Sequence, residues 1–140
     1  MTYFSIEELC HSDTATARQI DNTPAPVVRQ KLQTLIDELL DPLRRAWGQP
    51  IRVSSGYRCP ELNRAVGGVA NSQHQTGEAA DLTTGTAAQN RQLFARIIEM
   101  QQSERIDFDQ LIWERGSAAG PDWIHLSYRR GNNRRQVLYL

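Results

Sequence analysis

The stretch Ser72-Gln73-His74-Gln75-Thr76-Gly77-Glu78-Ala79-Ala80-Asp81 places an imidazole and a carboxylate seven residues apart. Its polar first part predicts a loop, and Ala79–Thr83 predicts a β-strand. Gly77 permits a sharp turn between loop and strand, so His74 and Asp81 can converge on one point. Histidine and aspartate at such separations are common in proteins, so this pair alone is weak support for a metal site.

A second stretch, Trp123-Ile124-His125-Leu126-Ser127-Tyr128, alternates in polarity and predicts a strand that is buried on one side. His125 shares one face with Trp123 and Ser127, and the apolar residues between them share the other face. A histidine in such a strand needs a partner, which is either a backbone carbonyl or a metal ion. Two histidines and one carboxylate form a common catalytic zinc set, so His74, Asp81 and His125 are candidate ligands.

Two carboxylates are candidates for the proton acceptor that a hydrolytic metal site needs. Asp122 lies three residues before His125. It would face away from His125 in a fully extended strand, but Gly120-Pro121 favours a chain that is not yet extended there. The alternative for Asp122 is an ordinary turn residue. Glu78 competes for the same role, although an exposed loop carboxylate explains it equally well.

Arg58 follows a predicted strand at Ile51–Ser54 and the turn residue Gly56. Its forked donors can bind a peptide carboxylate or stabilise a developing oxyanion. The simpler alternative is a surface arginine.

The remaining patterns predict an α+β domain in which helices pack on a small antiparallel sheet. Pro42 should kink or end the longest helix, whose apolar stripe runs from Val28 to Leu43. The turn residues Gly131-Asn132-Asn133 predict a hairpin between the last two strands. The predicted helices lie near Ser5–Cys10, after Pro26, after Pro60 and after Thr86; the predicted strands are Ile51–Ser54, Ala79–Thr83, Gln110–Trp113, Trp123–Tyr128 and Gln136–Leu140.

Length and composition suit one domain over residues 1–140. Sixteen basic and sixteen acidic side chains cancel, which gives no support to nucleic-acid binding. No apolar run approaches the roughly 20 residues that span a bilayer, so membrane insertion is not expected. The first residues lack the pattern of a secretory signal. For Cys10 and Cys59, two reduced thiols are favoured over a disulfide.

Three ordered motifs resemble the zinc D-alanyl-D-alanine carboxypeptidases, and more closely the compact peptidase M15A-like proteins of phages and prophages. They are Ser-x-His-x-x-Gly-x-Ala-x-Asp at 72–81, Ser-Gly-Tyr-Arg at 55–58 and Asp-Trp-Ile-His at 122–125. The likeness runs from the Glu7-Glu8-Leu9 arm to Leu140. It implies a fold of the hedgehog/DD-peptidase type.

The resemblance also implies roles for individual residues. One Zn²⁺ would be bound by His74, Asp81 and His125. Asp122 would be the general base, and Arg58 would stabilise the substrate carbonyl or the tetrahedral intermediate. Ser72 would line the site, and Gln110 would border the cleft.

The implied function is a zinc metallopeptidase that hydrolyses peptide bonds in peptidoglycan stem peptides or cross-links, as a carboxypeptidase or as an endopeptidase of the endolysin type. A monomer is expected. Without a signal peptide, such an enzyme would be made in the cytoplasm and would reach the cell wall after release at lysis, or as part of a virion.

Three alternatives remain open at this stage. The first is a catalytically inactive, zinc-containing module that binds the cell wall. The second is a cysteine enzyme that uses Cys59, whose neighbour Arg58 can lower its pKa. The third is binding of anionic polymers through the basic pairs Arg129-Arg130 and Arg134-Arg135, which also suit a solvated loop tip.

Overall fold

A five-stranded sheet with the strand order β1-β2-β4-β3-β5 forms the centre of the computed structural model, which describes residues 2–140. β1–β2, β2–β4 and β4–β3 pair antiparallel. In this register Asp81 lies opposite His125, and His125 in turn lies opposite Ile112. The strands are β1 (Arg52–Ser55), β2 (Ala79–Thr83), β3 (Gln110–Glu114), β4 (Trp123–Ser127) and β5 (Gln136–Tyr139).

The pairing of the last strand differs from the predicted antiparallel sheet. β5 pairs with β3, and the pairing is parallel, so the sheet is mixed and the last two strands form no hairpin. β4 ends next to the start of β3. The segment that follows β4 passes the start of β3 and leads to the edge of the sheet, where β5 pairs with β3. Arg135 N donates to Phe108 O and Gln136 N donates to Asp109 O along this path. The Gly131 turn is therefore the tip of a crossover.

Serine and threonine side chains begin several of the helices, as capping chemistry requires. Ser5 Oγ accepts from Glu8 N at the start of the first helix, and Thr86 Oγ1 accepts from Gln89 N at the start of the helix after Thr86. The helix capped by Ser12 is not among the predicted elements. The helices are α1 (Ile6–Cys10), α2 (Asp13–Arg18), α3 (Pro26–Leu35), α4 (Asp41–Trp47), α5 (Pro60–Ala65) and α6 (Ala87–Gln102).

A π-helical turn at Ile36–Leu40 joins α3 to α4, so the helical path continues past Pro42. Asp41 N donates to Ile36 O in this wider turn, and Pro42 has no N–H that would need an acceptor. Where the sequence predicts that the helix kinks or ends, the helix instead changes from α to π and back to α. Asp41 itself is buried, and its carboxylate accepts from Tyr3 N and Thr2 Oγ1, which attaches the N-terminal arm to the helix.

One continuous hydrophobic core lies between the helices and one face of the sheet. The alternation in β4 is as predicted, because Ile124 and Leu126 are fully buried in this core. His125 lies on the other face of the strand, where the sheet carries its polar residues. No helix in the described part of the chain is long and apolar enough to cross a membrane.

Both cysteines are free thiols of intermediate exposure. Cys59 Sγ accepts a hydrogen bond from Leu62 N at 3.4 Å and so caps the N-terminus of α5. Burial raises the pKa of the Cys10 thiol.

Candidate metal centre

Three side chains converge at the centre of the polar face of the sheet. His74 Nε2 lies 3.3 Å from Asp81 Oδ1, and His125 Nδ1 lies 3.1 Å from the same oxygen. The two imidazole rings meet edge to face with centroids 5.1 Å apart. Asp81 and His125 face each other because β2 and β4 are neighbours, whereas His74 comes from a 3-10 turn at Gln73–Gln75.

The orientation of His74 is set by its other ring nitrogen. Nδ1 lies 2.7 Å from the carbonyl oxygen of Gly56, and since a carbonyl only accepts, Nδ1 carries the hydrogen. His74 is almost fully buried, and Ser72 Oγ accepts from its backbone N–H. Nε2, the nitrogen that remains free for a second proton or for a metal ion, therefore faces Asp81. A donated hydrogen bond of this kind is the usual way in which proteins orient a metal-binding histidine.

The three donor atoms fit a zinc ion in kind and in spacing. Two imidazoles and a carboxylate are typical zinc ligands, with bonds of about 2.0–2.1 Å, and a tetrahedral ion then separates its ligand atoms by about 3.3 Å. The observed separations from Asp81 are 3.3 and 3.1 Å. Among the described residues this is the one group of three or more such side chains with ligand atoms close enough to hold a metal.

Asp81 is charged in this setting. Burial works against its ionisation, but the neighbouring imidazoles of His74 and His125 outweigh that effect and hold the pKa of the Asp81 carboxyl well below its usual range. An anionic oxygen is thus available to a cation at neutral pH.

A cleft of about 860 Å³ surrounds the three residues. All but one of the predicted site residues line it. They are Arg58, Ser72, His74, Asp81, Gln110 and His125.

Arg58 lies beside the metal centre on the side of β1. Its backbone N–H donates to His74 O at 2.9 Å, and its Nη2 donates to Ser72 Oγ at 3.4 Å. Its Nε is buried and has no hydrogen-bond partner among the described residues. Burial lowers the pKa of the Arg58 guanidinium, and the charge of Asp81 opposes that shift. The guanidinium lines the cleft, and its donors other than the one given to Ser72 are available to an acceptor there.

Gln110 lies at the far end of the cleft, at the start of β3. Its side-chain amide donates to Gln136 Oε1, and its backbone N–H donates to the buried Ser127 hydroxyl. Next to it, the buried Asp109 carboxylate accepts from Gln73 Nε2 and from Arg134 Nε and Nη2 at 2.8–2.9 Å. This network joins the turn that carries His74 to the segment that leads into β5.

Asp122 is the predicted site residue that does not line the cleft. It is exposed just before β4, where its backbone N–H donates to Glu114 O. Its carbonyl oxygen accepts from Nδ2 of the buried Asn90 at 3.3 Å. Its catalytic role stays a prediction.

Glu78, the competing base, is held by other residues. Its carboxylate accepts from the Thr76 hydroxyl and lies 4.0 Å from Lys31 Nζ and 3.8 Å from Arg129 Nε. Through these contacts Glu78 connects the loop before β2 to the basic segment after β4.

Glu114 is a cleft residue that the sequence patterns did not single out. It ends β3 opposite Trp123, on the same face of the strand as Gln110 and Ile112. Alternation from Gln110 is the signal that could have identified it. The predicted strand stopped one residue earlier, at Trp113.

Comparison with known proteins gives a family match and a partial match to a named relative. The family described as Peptidase M15 matches residues 2–127. The zinc D-Ala-D-Ala carboxypeptidase of Streptomyces albus G is 46% identical over 48 residues, which is 34% of this chain and 19% of that protein. The chain therefore matches about a fifth of the length of that relative.

Proposed function

Because this chain belongs to the peptidase M15 family, we propose that it is a zinc-dependent peptidase that hydrolyses peptide bonds in peptidoglycan. The observation that carries the proposal is the convergence of His74, Asp81 and His125 in a cleft, with donor separations that suit zinc. The name of the Streptomyces relative supports both the metal and the wall peptide as substrate. On this proposal the enzyme works at the cell wall.

The chemistry that a bound Zn²⁺ supplies is Lewis acidity toward a carbonyl oxygen and toward a water molecule. The residues of the chain provide the rest. His74 and His125 hold the ion as neutral imidazoles, and Asp81 contributes negative charge. The Gly56 carbonyl keeps the Nδ1 hydrogen on His74.

Arg58 is proposed to stabilise negative charge on the carbonyl oxygen of the scissile bond. Its guanidinium lines the cleft beside Ser72, and its buried Nε lacks a partner among the described residues. Donors that are already oriented toward developing charge lower an activation barrier without a cost of reorganisation during the reaction.

Asp122 is proposed to take a proton from the attacking water and to return it to the leaving amine. Support comes from its position directly before β4, three residues from His125. Its exposed position outside the cleft lining means that its side chain must turn inward in the substrate complex. Catalytic hydrogen bonds are often long in free enzymes and shorten when substrate binds.

The dimensions of the cleft favour an endopeptidase over a carboxypeptidase. The cleft reaches past the metal residues toward both ends of β3, from Gln110 to Glu114. A chain that continues on both sides of the scissile bond suits such a cleft better than a terminal dipeptide does.

The test is the zinc-loaded protein on isolated peptidoglycan, with released fragments identified by mass and new amine ends counted. Asp122→Asn is the test variant, and Asp13→Asn, at an exposed carboxylate far along the chain, is its control. We expect the wild type and the control to release peptides, and Asp122→Asn to keep zinc and lose roughly 100- to 10,000-fold in rate. The fragment masses identify the bond.

The second candidate function is a zinc-containing module that binds wall peptides without cleaving them. The exposed position of Asp122 is the observation that favours it. A wild-type protein that holds zinc, sediments with peptidoglycan and releases no peptide from several wall types would replace the peptidase proposal with this one.

A further inference from the structure

The Glu114 carboxylate differs from the other acidic groups of the cleft in having no hydrogen-bond or ion-pair partner among the described residues, although the charge of Arg115 acts on it. It lines the cleft and is partly buried, and it makes no side-chain hydrogen bond or ion pair with any residue that the structure describes. Asp81, by contrast, meets two imidazoles, and Glu78 meets Thr76, Lys31 and Arg129. A carboxylate that is partly removed from water without a compensating partner is costly, so its place in a cleft points to a ligand.

The position of Glu114 relative to the metal centre is fixed by the strand register. Glu114 pairs with Trp123, two residues along β3 from Ile112, which pairs with His125. Such diagonal neighbours lie within reach of long side chains. Arg58 lies on the opposite side, in the segment that follows β1. Because β1 and β3 are three strand spacings apart, about 14 Å, the two charged residues flank the metal ligands across the sheet.

The surroundings of Glu114 favour a cation. Burial raises the pKa of the Glu114 carboxyl and the charge of Asp81 adds to that shift, while Arg115 and the two imidazoles oppose it only in part, so a further positive group beside it would stabilise the ionised form. The ring of Trp123, also in the cleft, already has the Arg115 guanidinium 5.4 Å from its centre. Aromatic faces attract ammonium groups in the same way.

We propose that Glu114 and the Trp123 ring form a subsite for a primary ammonium group of the peptide substrate, on the side of the metal centre opposite Arg58. Peptidoglycan stem peptides carry such groups on their diamino acid, and a peptide also carries one at its N-terminus. The subsite rests on the proposed peptidase function. It restricts the substrates of that function to peptides with a free amine near the scissile bond.

The experiment uses one synthetic stem peptide with a lysine and three derivatives, acetylated on the side-chain amine, on the terminal amine, or on both. The values of kcat/KM are measured for the zinc-loaded wild type, Glu114→Gln and Glu61→Gln. Glu61 is an exposed carboxylate outside the cleft lining and serves as the matched control.

We expect acetylation of the recognised amine to lower the wild-type kcat/KM at least about 10-fold, since hydrogen bonds to charged groups contribute roughly 1.5–3 kcal/mol. Glu114→Gln should lower kcat/KM about 10-fold on the peptide that carries this amine and leave the doubly acetylated peptide within about 2-fold. The single acetylation that lowers kcat/KM shows whether the side-chain amine or the terminal amine is recognised. Glu61→Gln should behave as the wild type.

Two results would overturn the subsite. One is a wild type that cleaves all four peptides equally well, a comparison that needs no variant to fold. The other is an equal loss for Glu114→Gln on every peptide, which would indicate a structural role or a direct role in the reaction. If the wild type cleaves none of the peptides and releases nothing from peptidoglycan, the proposed function fails and the subsite fails with it.

Discussion

His74 Nδ1 and the carbonyl oxygen of Gly56 lie 2.7 Å apart, and this contact directs the other nitrogen of the ring at Asp81. The acceptor is backbone, so its position depends on how closely the chain passes its neighbours at residue 56. A Cβ on Gly56 would lie 2.2 Å from Leu9 O. The orientation of His74 on its loop therefore depends on the packing of α1 against a second loop, the one that follows β1.

Gly56→Ala should weaken zinc binding although residue 56 is not a ligand. The new methyl group must push Leu9 or the segment after β1 aside, which moves the acceptor away from His74. Loss of an outer hydrogen bond of this kind costs about 10- to 100-fold in metal affinity. A competition titration with a zinc indicator measures it. Gly48→Ala is the control, since its Cβ would meet nothing within 4 Å and its positive φ strains the backbone away from the site. Equal affinities for the two variants would contradict this account.

Removal of the metal should lower the melting temperature of the wild type, and added zinc should restore it. A ligand that binds the folded state alone stabilises it by roughly 2.7 kcal/mol at 100 times its dissociation constant. His125→Ala should show no response to zinc within the same concentration range, because one of three ligands is missing. His11→Ala should respond as the wild type does, since His11 lies on the surface beside Asp13. Thermal melts with and without chelator measure all three proteins.

Arg58→Lys should reduce kcat more than it affects binding. A lysine keeps the positive charge but loses the planar set of donors, so it cannot place two N–H groups as the guanidinium does. Removal of one donor to a developing oxyanion costs roughly 100- to 1,000-fold in kcat. We expect a loss of that order with KM changed by less than about 3-fold. A variant with unchanged kcat and a raised KM would reassign Arg58 to holding a substrate carboxylate.

The convergence of His74, Asp81 and His125 could be predicted from sequence because each stands in a short segment with a clear local pattern. Alternation in Trp123–Ser127 separates His125 from the core residues on either side, and Gly77 marks the turn before β2. Neighbouring strands then bring Asp81 and His125 together. The motif resemblance supplied the assignment that the spacing alone left open.

The course of the last strand could not be predicted in this way. Turn residues around Gly131 determine local backbone conformation, and they suit a hairpin and a crossover equally. The choice depends on contacts distant in sequence, above all those of Arg134 with Asp109. Glu114 was missed for a different reason, because the predicted strand ended at Trp113, one residue short of it.

Asp109 should give the fold a stability that disappears in acid. Its side chain is fully buried, and burial alone would raise its pKa. Hydrogen bonds from Arg134 and Gln73 outweigh that effect and lower the pKa of the Asp109 carboxyl from 3.8 to about 2. Because the folded protein then binds this proton more weakly than the unfolded chain, the stabilisation is present above about pH 4 and is lost as the pH falls toward 2.

Asp109→Asn should accordingly lower the free energy of unfolding by about 2 kcal/mol at pH 7, given about 1.4 kcal/mol for each unit of pKa. The difference from the wild type should shrink to about half by pH 3. Urea unfolding followed by circular dichroism at pH 7, 5, 4 and 3 measures both curves. Asp107→Asn is the matched control, since Asp107 pairs with Arg135 at the surface, and such pairs contribute about 0–1 kcal/mol. A difference between wild type and Asp109→Asn that stays constant down to pH 3 would show that the loss comes from packing and that the buried charge of Asp109 contributes nothing.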